Sequence, residues 1–430
     1  MSAAPVTATT RTVNRISRVE VVPVAFADPP LLNVVGVHQP FALRAVVRLH
    51  TDTGLVGLGE TYADETHLAR LEAAARGILG VDVWDLAGLR RAVAASIGST
   101  SGAGASFGGM LEVDSALDTV YSPFEVACLD AQGHETGRPV SDLLGGAVRD
   151  RVPFSAYLFY KWAGHPGQPD DAWGEALTPE QVVAQARRMV DGWGFEAIKL
   201  KGGVLPPAQE VAALHALRDA FPRHALRIDP NGAWTVETSA EVAAELTGVV
   251  EYLEDPTPGI DGMAAVARTT DLPLATNMCV IAFEHLEPAV RARAVGVVLS
   301  DHHLWGGLHR SRLLAGICDT FGMGLSMHSN SHLGISLAAM THLAAATPNL
   351  TYACDTHYPW KTEDVVEPGV LDFVDGAVAV PTGPGLGVTL DEDALGALHE
   401  QYLACGVRRR EDTVYMQSVQ PGFRPNTARW

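Results

Sequence analysis

Seven polar residues each end a short β-branched run in the second part of the chain, and their types suit metal and acid–base chemistry. In chain order they are Lys201, Asp229, Glu254, Asn277, Asp301, His328 and Asp355. Successive members are 28, 25, 23, 24, 27 and 27 residues apart. So regular a spacing indicates that a repeated structural unit delivers all of them to one place.

Three members of this set, Asp229, Glu254 and Asn277, follow one another and offer side-chain oxygens. Three oxygen ligands that converge from successive strands suit a hard cation such as Mg²⁺ and leave room for water and substrate. An acidic residue at the end of a strand also commonly caps a helix. That alternative stays open for any one of the three, whereas three in succession favour a metal site.

Lys199 and Lys201 are separated by Leu200 and therefore point to the same face of a strand. Repulsion between two buried ammonium groups lowers the pKa of at least one, which favours general-base catalysis. The alternative is a solvated strand edge, against which the apolar neighbours Ala197 and Ile198 argue. The pair is therefore a candidate for proton transfer inside the repeated structure.

His328 and Asp301 end neighbouring runs, where the carboxylate can fix the imidazole tautomer and raise its basicity. A structural role for the histidine remains the alternative. His328 and His332 have the spacing of two zinc ligands, but Ser329 replaces the glutamate of HExxH, which makes a zinc site there unfavourable. The consecutive residues His302 and His303 are expected to point apart on a strand.

The elements that must position these residues are strands that alternate with helices from about residue 152 onward. A period of about 25 residues with eight strands is the arithmetic of a (β/α)₈ barrel, in which catalytic residues lie at the carboxyl ends of the strands. The predicted strands are residues 154–160, 195–201, 226–229, 249–254, 272–277, 295–301, 322–328 and 350–355.

The first 150 residues predict an α+β unit. Strands are expected at 17–25 and 43–50, with a hairpin turn at 52–54. Helical periodicity covers 68–79, 84–97 and 123–135. The segment 28–41 is expected to be a loop, and the Gly/Ser-rich stretch 99–109 a mobile one.

The amino-acid composition restricts the binding partners and the cellular compartment that we expect. The 430 residues include 31 basic and 50 acidic side chains, which gives a formal charge of −19. This charge makes nucleic acid an unfavourable partner and, at first sight, small anions unfavourable substrates as well. The five cysteines form no CxxC pair, which indicates free thiols in a reducing compartment. Without an apolar leader or an 18-residue apolar run, we expect a cytoplasmic protein that does not contact a membrane.

Several strings around these residues resemble the enolase superfamily, and within it the glucarate dehydratase branch. The neutral Asn277 and the residues around His328 are the features most specific to that branch. The strings are KLKGG (199–203), DPNGAW (229–234), LEDP (253–256), ATNM (275–278), LSDHHLWGG (299–307), MHSNSHLGIS (327–336) and DTHYPW (355–360). The resemblance implies a (β/α)₇β modified TIM barrel (152–394), an N-terminal α+β capping domain (1–151), and a C-terminal segment (395–430) that completes the cap and the site.

The resemblance also implies the roles of individual residues. Asp229, Glu254 and Asn277 would hold Mg²⁺. Lys201 would act as a base on one face of the substrate, and His328, oriented by Asp301, on the other. Lys199 would stabilise the enolate, and Asn231 also falls on a catalytic position. The implied substrate contacts are His38, Tyr157, Lys199, Ser329, Asn330, His357 and Arg429.

The implied reaction is dehydration of an acid sugar, with D-glucarate and L-idarate as first candidates and a keto-deoxy-glucarate as product. A carboxylate at position 277 would add a third negative ligand facing a dianion, so the neutral amide suits a diacid whose distal carboxylate meets Arg429 and His38. Residues 60–67 and 110–112 depart from the family pattern, so another aldarate or aldonate stays open as the substrate. A zinc-dependent hydrolase and a non-catalytic sugar-acid-binding barrel are less favoured. A homo-oligomer is expected.

Overall fold

The computed structural model describes residues 13–98 and 116–430, so the predictions for 99–112 lie outside the described residues. The N-terminal part contains strands and helices that the hairpin and helical patterns largely predict. They are β1 (Ile16–Ala27), β2 (Leu32–Asn33), β3 (Gly36–Val37), β4 (Phe41–Thr51), β5 (Val56–Tyr62), α1 (Glu65–Gly77), α2 (Leu86–Ser96), α3 (Ala116–Thr136) and α4 (Val140–Leu143).

The cap is a three-stranded antiparallel sheet, in the order β1-β4-β5, against which α1 and α3 pack, and α2 packs on these two helices. The segment 28–41 is more ordered than predicted, because β2 and β3 form a short hairpin within it. The helix predicted at 123–135 begins seven residues earlier, at Ala116, with Pro123 inside it. Apolar residues from the sheet and helices close a core that is separate from the larger core of the second part.

The second part alternates short strands with helices, as the period predicts. Its elements are β6 (Arg151–Pro153), β7 (Ser155–Phe159), α5 (Pro179–Trp193), β8 (Ala197–Lys201), α6 (Pro207–Ala220), β9 (Ala225–Asp229), α7 (Val236–Leu246), β10 (Tyr252–Glu254), α8 (Gly259–Ala267), β11 (Leu274–Thr276), α9 (Phe283–Ala292), β12 (Val297–Ser300), α10 (His302–Trp305), α11 (Leu308–Thr320), β13 (Gly324–Met327), α12 (Gly334–Ala345), a 3₁₀ turn (Tyr358–Trp360), β14 (Phe373–Val374) and β15 (Ala377–Ala379).

Seven parallel strands lie side by side in the order β7 to β13. Nearly all of their residues are buried, as expected for parallel strands covered on both faces. The predicted eighth strand is not a regular strand, but residues 351–355 hydrogen-bond to both edges. Tyr352 and Asp355 donate to Leu325 (3.1 Å) and Met327 (2.8 Å) of β13, and Ser155 of β7 donates to Cys354 (2.8 Å). These bonds close the ring, so the fold is the predicted (β/α)₇β modified TIM barrel.

The C-terminal part contains α13 (Glu392–Cys405) and α14 (Asp412–Val419). Helix α13 packs on β1, where His399 and Gln401 contact the carbonyl oxygens of Pro23 (2.7 Å) and Ala25 (2.8 Å). The chain therefore returns to the cap after the barrel. The domain boundaries at 151/152 and 394/395 stay a prediction, and α13 begins before the second of them.

The last five residues fasten the loops that follow β8 and β9. The Asn426 side chain donates to the carbonyl of Gly203 (2.9 Å), and its backbone N–H donates to Val34 beside the β2–β3 hairpin (2.8 Å). Ala428 and Arg429 donate to Gly232 (2.8 Å) and Ala233 (2.9 Å). Asn426 therefore links the cap to the barrel loop that follows Lys201.

Gly203 lies at the centre of that loop and requires glycine. Its φ is +75°, and a Cβ there would lie 2.3 Å from the carbonyl oxygen of Pro230. The buried carboxylate of Glu210 accepts hydrogen bonds from the N–H groups of Gly203 (3.0 Å), Val204 (2.9 Å) and Leu205 (3.0 Å). The loop that follows Lys201 is therefore held on several sides.

The cysteines and the helices of the described residues bear on two further predictions. All five cysteines are free thiols, as predicted. Within 13–98 and 116–430, no helix combines the length and apolar composition required to cross a bilayer.

We predict that Asn426→Ala loosens the C-terminal attachment. The variant loses the buried bond to Gly203 and the acceptor for the Arg429 guanidinium, a loss of about 1–3 kcal/mol of local stability. Hydrogen–deuterium exchange of peptides covering 232–236 and 426–430 should therefore accelerate by about tenfold or more. Arg424→Ala, at an exposed position nearby, is the control. Equal exchange in the two variants would contradict the attachment.

Candidate active site

The barrel interior holds a cluster of buried charges at the carboxyl ends of its strands. The Lys199 ammonium lies 2.7 Å from Glu254 Oε1, 2.7 Å from Asp355 Oδ2 and 3.6 Å from Asp229 Oδ2. Lys201 lies 2.6 Å from Asp229 Oδ2. Because all five side chains are almost fully buried, the ion pairs offset a large loss of hydration. The structure therefore brings together lysines and carboxylates from β8, β9, β10 and the closing segment.

The prediction that mutual repulsion lowers the pKa of at least one of the two lysines does not hold for Lys199. Burial alone would lower the pKa of Lys199, but the carboxylates of Asp355 and Glu254 outweigh burial and raise that pKa well above its ordinary value. The spacing in the sequence identified Lys201 as a neighbour of Lys199, but it did not identify Asp355 as a direct partner of Lys199. These carboxylates therefore favour the charged form of Lys199, and the stabilising role that the resemblance implies for it stays a prediction.

Three predicted metal ligands lie at the ends of successive strands. Asp229 ends β9, Glu254 ends β10 and Asn277 follows β11. The second oxygen of Glu254 is buried and has no hydrogen-bond partner. Burial raises the pKa of this carboxyl well above its ordinary value, even though Lys199 opposes that effect. An orphaned buried oxygen in a donor set of two carboxylates and one amide fits a hard divalent cation.

The backbone near these ligands is strained in a way that fixes their direction. Asn231 and Asp255 have left-handed φ values of 50° and 39°, which is rare outside glycine. The Asp255 carboxylate accepts from Thr276 Oγ1 (2.6 Å) and from the backbone N–H of Asn277 (2.8 Å). Asp255 therefore holds the segment that carries Asn277, a contribution that the sequence patterns did not reveal.

A second cluster of polar side chains, Asp301, His302 and His303, has carboxylate and imidazole atoms within 4.8 Å of one another. The His303 ring contacts Asp301 through Nδ1 (2.7 Å) and Arg44 through Nε2 (2.9 Å). Both ring nitrogens of His303 are therefore engaged. The prediction that His302 and His303 point apart on a strand is wrong, because they lie on α10 with ring centroids 4.0 Å apart.

Asp301 and His328 do approach each other, with 3.4 Å between Asp301 Oδ2 and His328 Nδ1. Burial alone would raise the pKa of Asp301, but the adjacent rings of His303 and His328 hold it well below its ordinary value. Asp301 is therefore an ionised acceptor at the start of α10.

A cavity of about 50 Å³ opens above the charge cluster. Nine of the predicted site residues line it: His38, Tyr157, Lys201, Asn231, Asn277, Asp301, His328, Asn330 and His357. Lys199, Asp229 and Glu254 lie beneath it, and Ser329 contacts His357 (3.2 Å to its backbone N–H). Lining residues that the sequence patterns missed are Asn33, Phe159, Met278, Leu304 and Arg410.

One side of the cavity is an aromatic wall. The ring of Tyr157 lies 4.7 Å from that of His357, and Lys199 Nζ lies 4.6 Å from the Tyr157 ring. Burial lowers the pKa of His357 well below its ordinary value, so its ring is neutral and can donate or accept one hydrogen bond.

The assignment of Arg429 to the cavity is corrected by the structure. Arg429 is exposed, bonds to Asn426 (2.6 Å) and lies beside residues 420–425, because the C-terminal attachment directs it away from the barrel mouth. Arg410, just before α14, lines the cavity instead. Its guanidinium forms a fork with Asp412 (2.7 Å) and contacts Asn330 Oδ1 (3.3 Å).

Comparison with known proteins agrees with this architecture. Residues 181–394 match the family described as enolase C-terminal domain-like. A probable glucarate dehydratase from Streptomyces coelicolor is 51% identical over 426 residues, covering 96% of this chain and 99% of that protein. The chain belongs to the enolase superfamily, and its dehydratase relatives support a hydro-lyase enzyme.

Solved structures show the same fold. The crystal structure of an enolase from Mycobacterium smegmatis complexed with tartrate has a TM-score of 0.93 and 65% identity, covering 98% of this chain and 100% of that one. An enolase from Thermobispora bispora complexed with magnesium and formate has a TM-score of 0.95 and 60% identity, covering 97% and 100%.

We predict that Asp355→Asn destabilises the protein by about 3–5 kcal/mol, because it removes one partner of the fully buried Lys199. The melting temperature should fall clearly below that of wild type. Asp375→Asn makes the same chemical change at a carboxylate that is 90% exposed and should leave the melting temperature nearly unchanged. Similar melting temperatures for the two variants would show that the Asp355–Lys199 contact is not a significant source of stability.

Proposed function

We propose that the protein is a Mg²⁺-dependent dehydratase of acid sugars, with D-glucarate and its epimer L-idarate as first substrates. The observation that carries the proposal is the cavity, where Lys201 and His328 reach the same space from β8 and from the end of β13, above three oxygen ligands. We also expect a cytoplasmic homo-oligomer without nucleic-acid or membrane partners.

The first step is removal of a proton from the carbon beside a carboxylate, a weakly acidic position because the product carries two negative charges. Asp229, Glu254 and Asn277 would hold Mg²⁺, which when bound supplies electrostatic stabilisation of that charge. Lys199 adds a positive charge. Lys201, in its neutral amine form, would accept the proton from D-glucarate, and neutral His328 would accept the corresponding proton from L-idarate.

The second step is loss of the β-hydroxyl group. In the reaction of D-glucarate, His328 would donate a proton to the leaving oxygen as the C–O bond breaks, so that water departs and an enol remains. The enol then becomes the α-keto acid. Asp301, held ionised, would stabilise the protonated imidazole before this transfer.

The distal carboxylate would be bound by Arg410 and His38, which line the cavity with Asn33 and Asn330. Arg410 therefore replaces Arg429 as the arginine that we expect to bind the distal carboxylate of the substrate. Tartrate, a dicarboxylic acid, occupies the M. smegmatis relative, and the S. coelicolor relative is described as a probable glucarate dehydratase. Both observations support a diacid substrate here.

One observation favours a second candidate, an aldonate with a single carboxylate. Both distal side chains have a carboxylate partner within the protein: His38 lies 2.9 Å from Asp28, and Arg410 lies 2.7 Å from Asp412. These pairs reduce the net positive charge that a second substrate carboxylate would meet. The active site chemistry would be the same for either substrate class.

A substrate screen tests the proposal. With Mg²⁺, purified protein should convert D-glucarate and L-idarate to an α-keto acid, detected with semicarbazide, faster than it converts aldonates. EDTA should abolish turnover and added MgCl₂ should restore it, because Asp229, Glu254 and Asn277 form a site for that ion. Turnover of an aldonate alone would select the second candidate. The absence of keto acid from every acid sugar would refute the proposal.

A substitution tests the distal site. Combining Arg410→Gln with Asp412→Asn removes both buried charges together, so neither is left unpaired. The KM for D-glucarate should rise by about 10- to 100-fold, the value of a charge-assisted hydrogen bond, and Arg424→Gln at an exposed position should leave it unchanged. A larger effect from Arg429→Gln would restore the original assignment.

A further inference from the structure

We propose that His303 and Arg44 are positioning residues for the Asp301–His328 pair, so that the cap controls the proton-donating half of the reaction. The inference rests on the proposed function and deepens it. Arg44 lies on β4 of the cap, whereas Asp301, His303 and His328 belong to the barrel. All of these side chains are buried or nearly so.

His303 occupies one oxygen of Asp301 and leaves the other for His328. Asp301 Oδ1 accepts from the backbone N–H of His303 (2.9 Å) and lies 2.7 Å from its ring Nδ1. Asp301 Oδ2 faces His328 Nδ1 (3.4 Å) and accepts from the Tyr62 hydroxyl (3.3 Å). The two contacts from His303 therefore fix the orientation of the carboxylate that His328 requires.

Arg44 determines the tautomer of His303. Arg44 Nη2 lies 2.9 Å from His303 Nε2, and a guanidinium can only donate. His303 Nε2 must therefore accept, so the ring hydrogen is on Nδ1 and is donated to Asp301. The Ser336 hydroxyl, 3.0 Å from the same nitrogen, can adapt to either arrangement. Without Arg44, His303 could present an unprotonated Nδ1 to Asp301, which would repel the carboxylate.

Arg44 is itself held by the cap. Its Nε donates to Glu60 Oε1 of β5 (2.7 Å), and its guanidinium lies 4.5 Å from the centre of the Tyr62 ring. The Glu60 carboxylate also accepts from the backbone N–H groups of Leu333 (2.9 Å) and Ser336 (2.8 Å), at the start of α12. This helix follows the segment that carries His328, so the cap reaches both members of the pair.

The test separates the two halves of the reaction with D-glucarate in D₂O. Exchange of the α-proton reports on Lys201, and keto acid formation reports on His328. His303→Gln, whose amide reaches the Nε2 position but supplies no donor at Nδ1, should lower keto acid formation by about 10- to 100-fold and leave exchange near the wild-type rate. His303→Asn, whose amide N–H₂ lies near the Nδ1 position, should restore most of the lost elimination.

Arg44 is tested together with Glu60, because Arg44→Met alone would leave a buried carboxylate without its partner. Arg44→Met combined with Glu60→Gln should show the same selective loss of elimination. The control is Arg48→Met, four residues along the same strand, where the side chain is 24% exposed and pairs with Glu20 and Glu392. This control should match wild type in both measurements.

The outcomes distinguish the inference from the proposed function. If Lys201→Ala does not abolish exchange, or His328→Asn does not selectively abolish elimination, the proposed function is wrong and the inference with it. If those two variants behave as expected but His303→Gln matches wild type, or loses exchange and elimination equally, only the inference is wrong. Loss without rescue by His303→Asn would also overturn it, since the Nδ1 donor would not be the cause.

Discussion

The contact of Lys199 with Glu254 and Asp355 is the interaction on which the site depends. An ammonium group without access to water is tolerated only where carboxylates lie within hydrogen-bond distance on several sides. Its partners come from separate strands, so the strands must be correctly placed for the pairs to form. Arg227 approaches Asp355 from below (3.8 Å), which extends the ion pairs through the barrel. The barrel therefore positions these charged groups, and the ion pairs between them in turn stabilise the barrel.

The cap completes the site from the opposite side. His38 and Asn33 reach the cavity from the β2–β3 region, while Arg44 and Glu60 contact α10 and the start of α12. The C-terminal attachment at Asn426 joins the cap to the loop that follows Lys201. A barrel without its cap would retain the ion cluster but lose the Tyr62 hydroxyl that donates to Asp301 and the cap residues at the distal end of the cavity.

The sequence could predict the barrel because each strand–helix unit repeats at nearly constant spacing. That spacing placed Asp229, Glu254 and His328 at strand ends without any long-range information. Contacts between distant segments were not predictable in this way. The sequence-based prediction named Arg429 and missed Arg410, because only the folding of the last five residues onto two barrel loops directs Arg429 outward.

The pKa of Lys199 also could not be predicted from the local sequence. Two lysines on one strand face suggest mutual repulsion, yet the acidic neighbours that decide the outcome are distant in sequence: Glu254 is 55 residues away and Asp355 is 156. A local pattern identifies which groups share a face but not the charge that surrounds them. The sign of the Lys199 pKa shift therefore follows from the barrel fold, which brings Glu254 and the closing segment with Asp355 beside this lysine.

An acidic protein and the proposed anionic substrate are compatible for a related reason. The formal charge of −19 describes mainly the exposed surface, where it opposes binding of a polyanion that spans many residues. A small molecule inside the cavity responds instead to the groups that line it, and these include Lys201, Arg410 and several histidines but one carboxylate, Asp301. Because the interior screens charge much less than water does, the local groups dominate. Exclusion of nucleic acid and binding of a small dianion are therefore compatible in one chain.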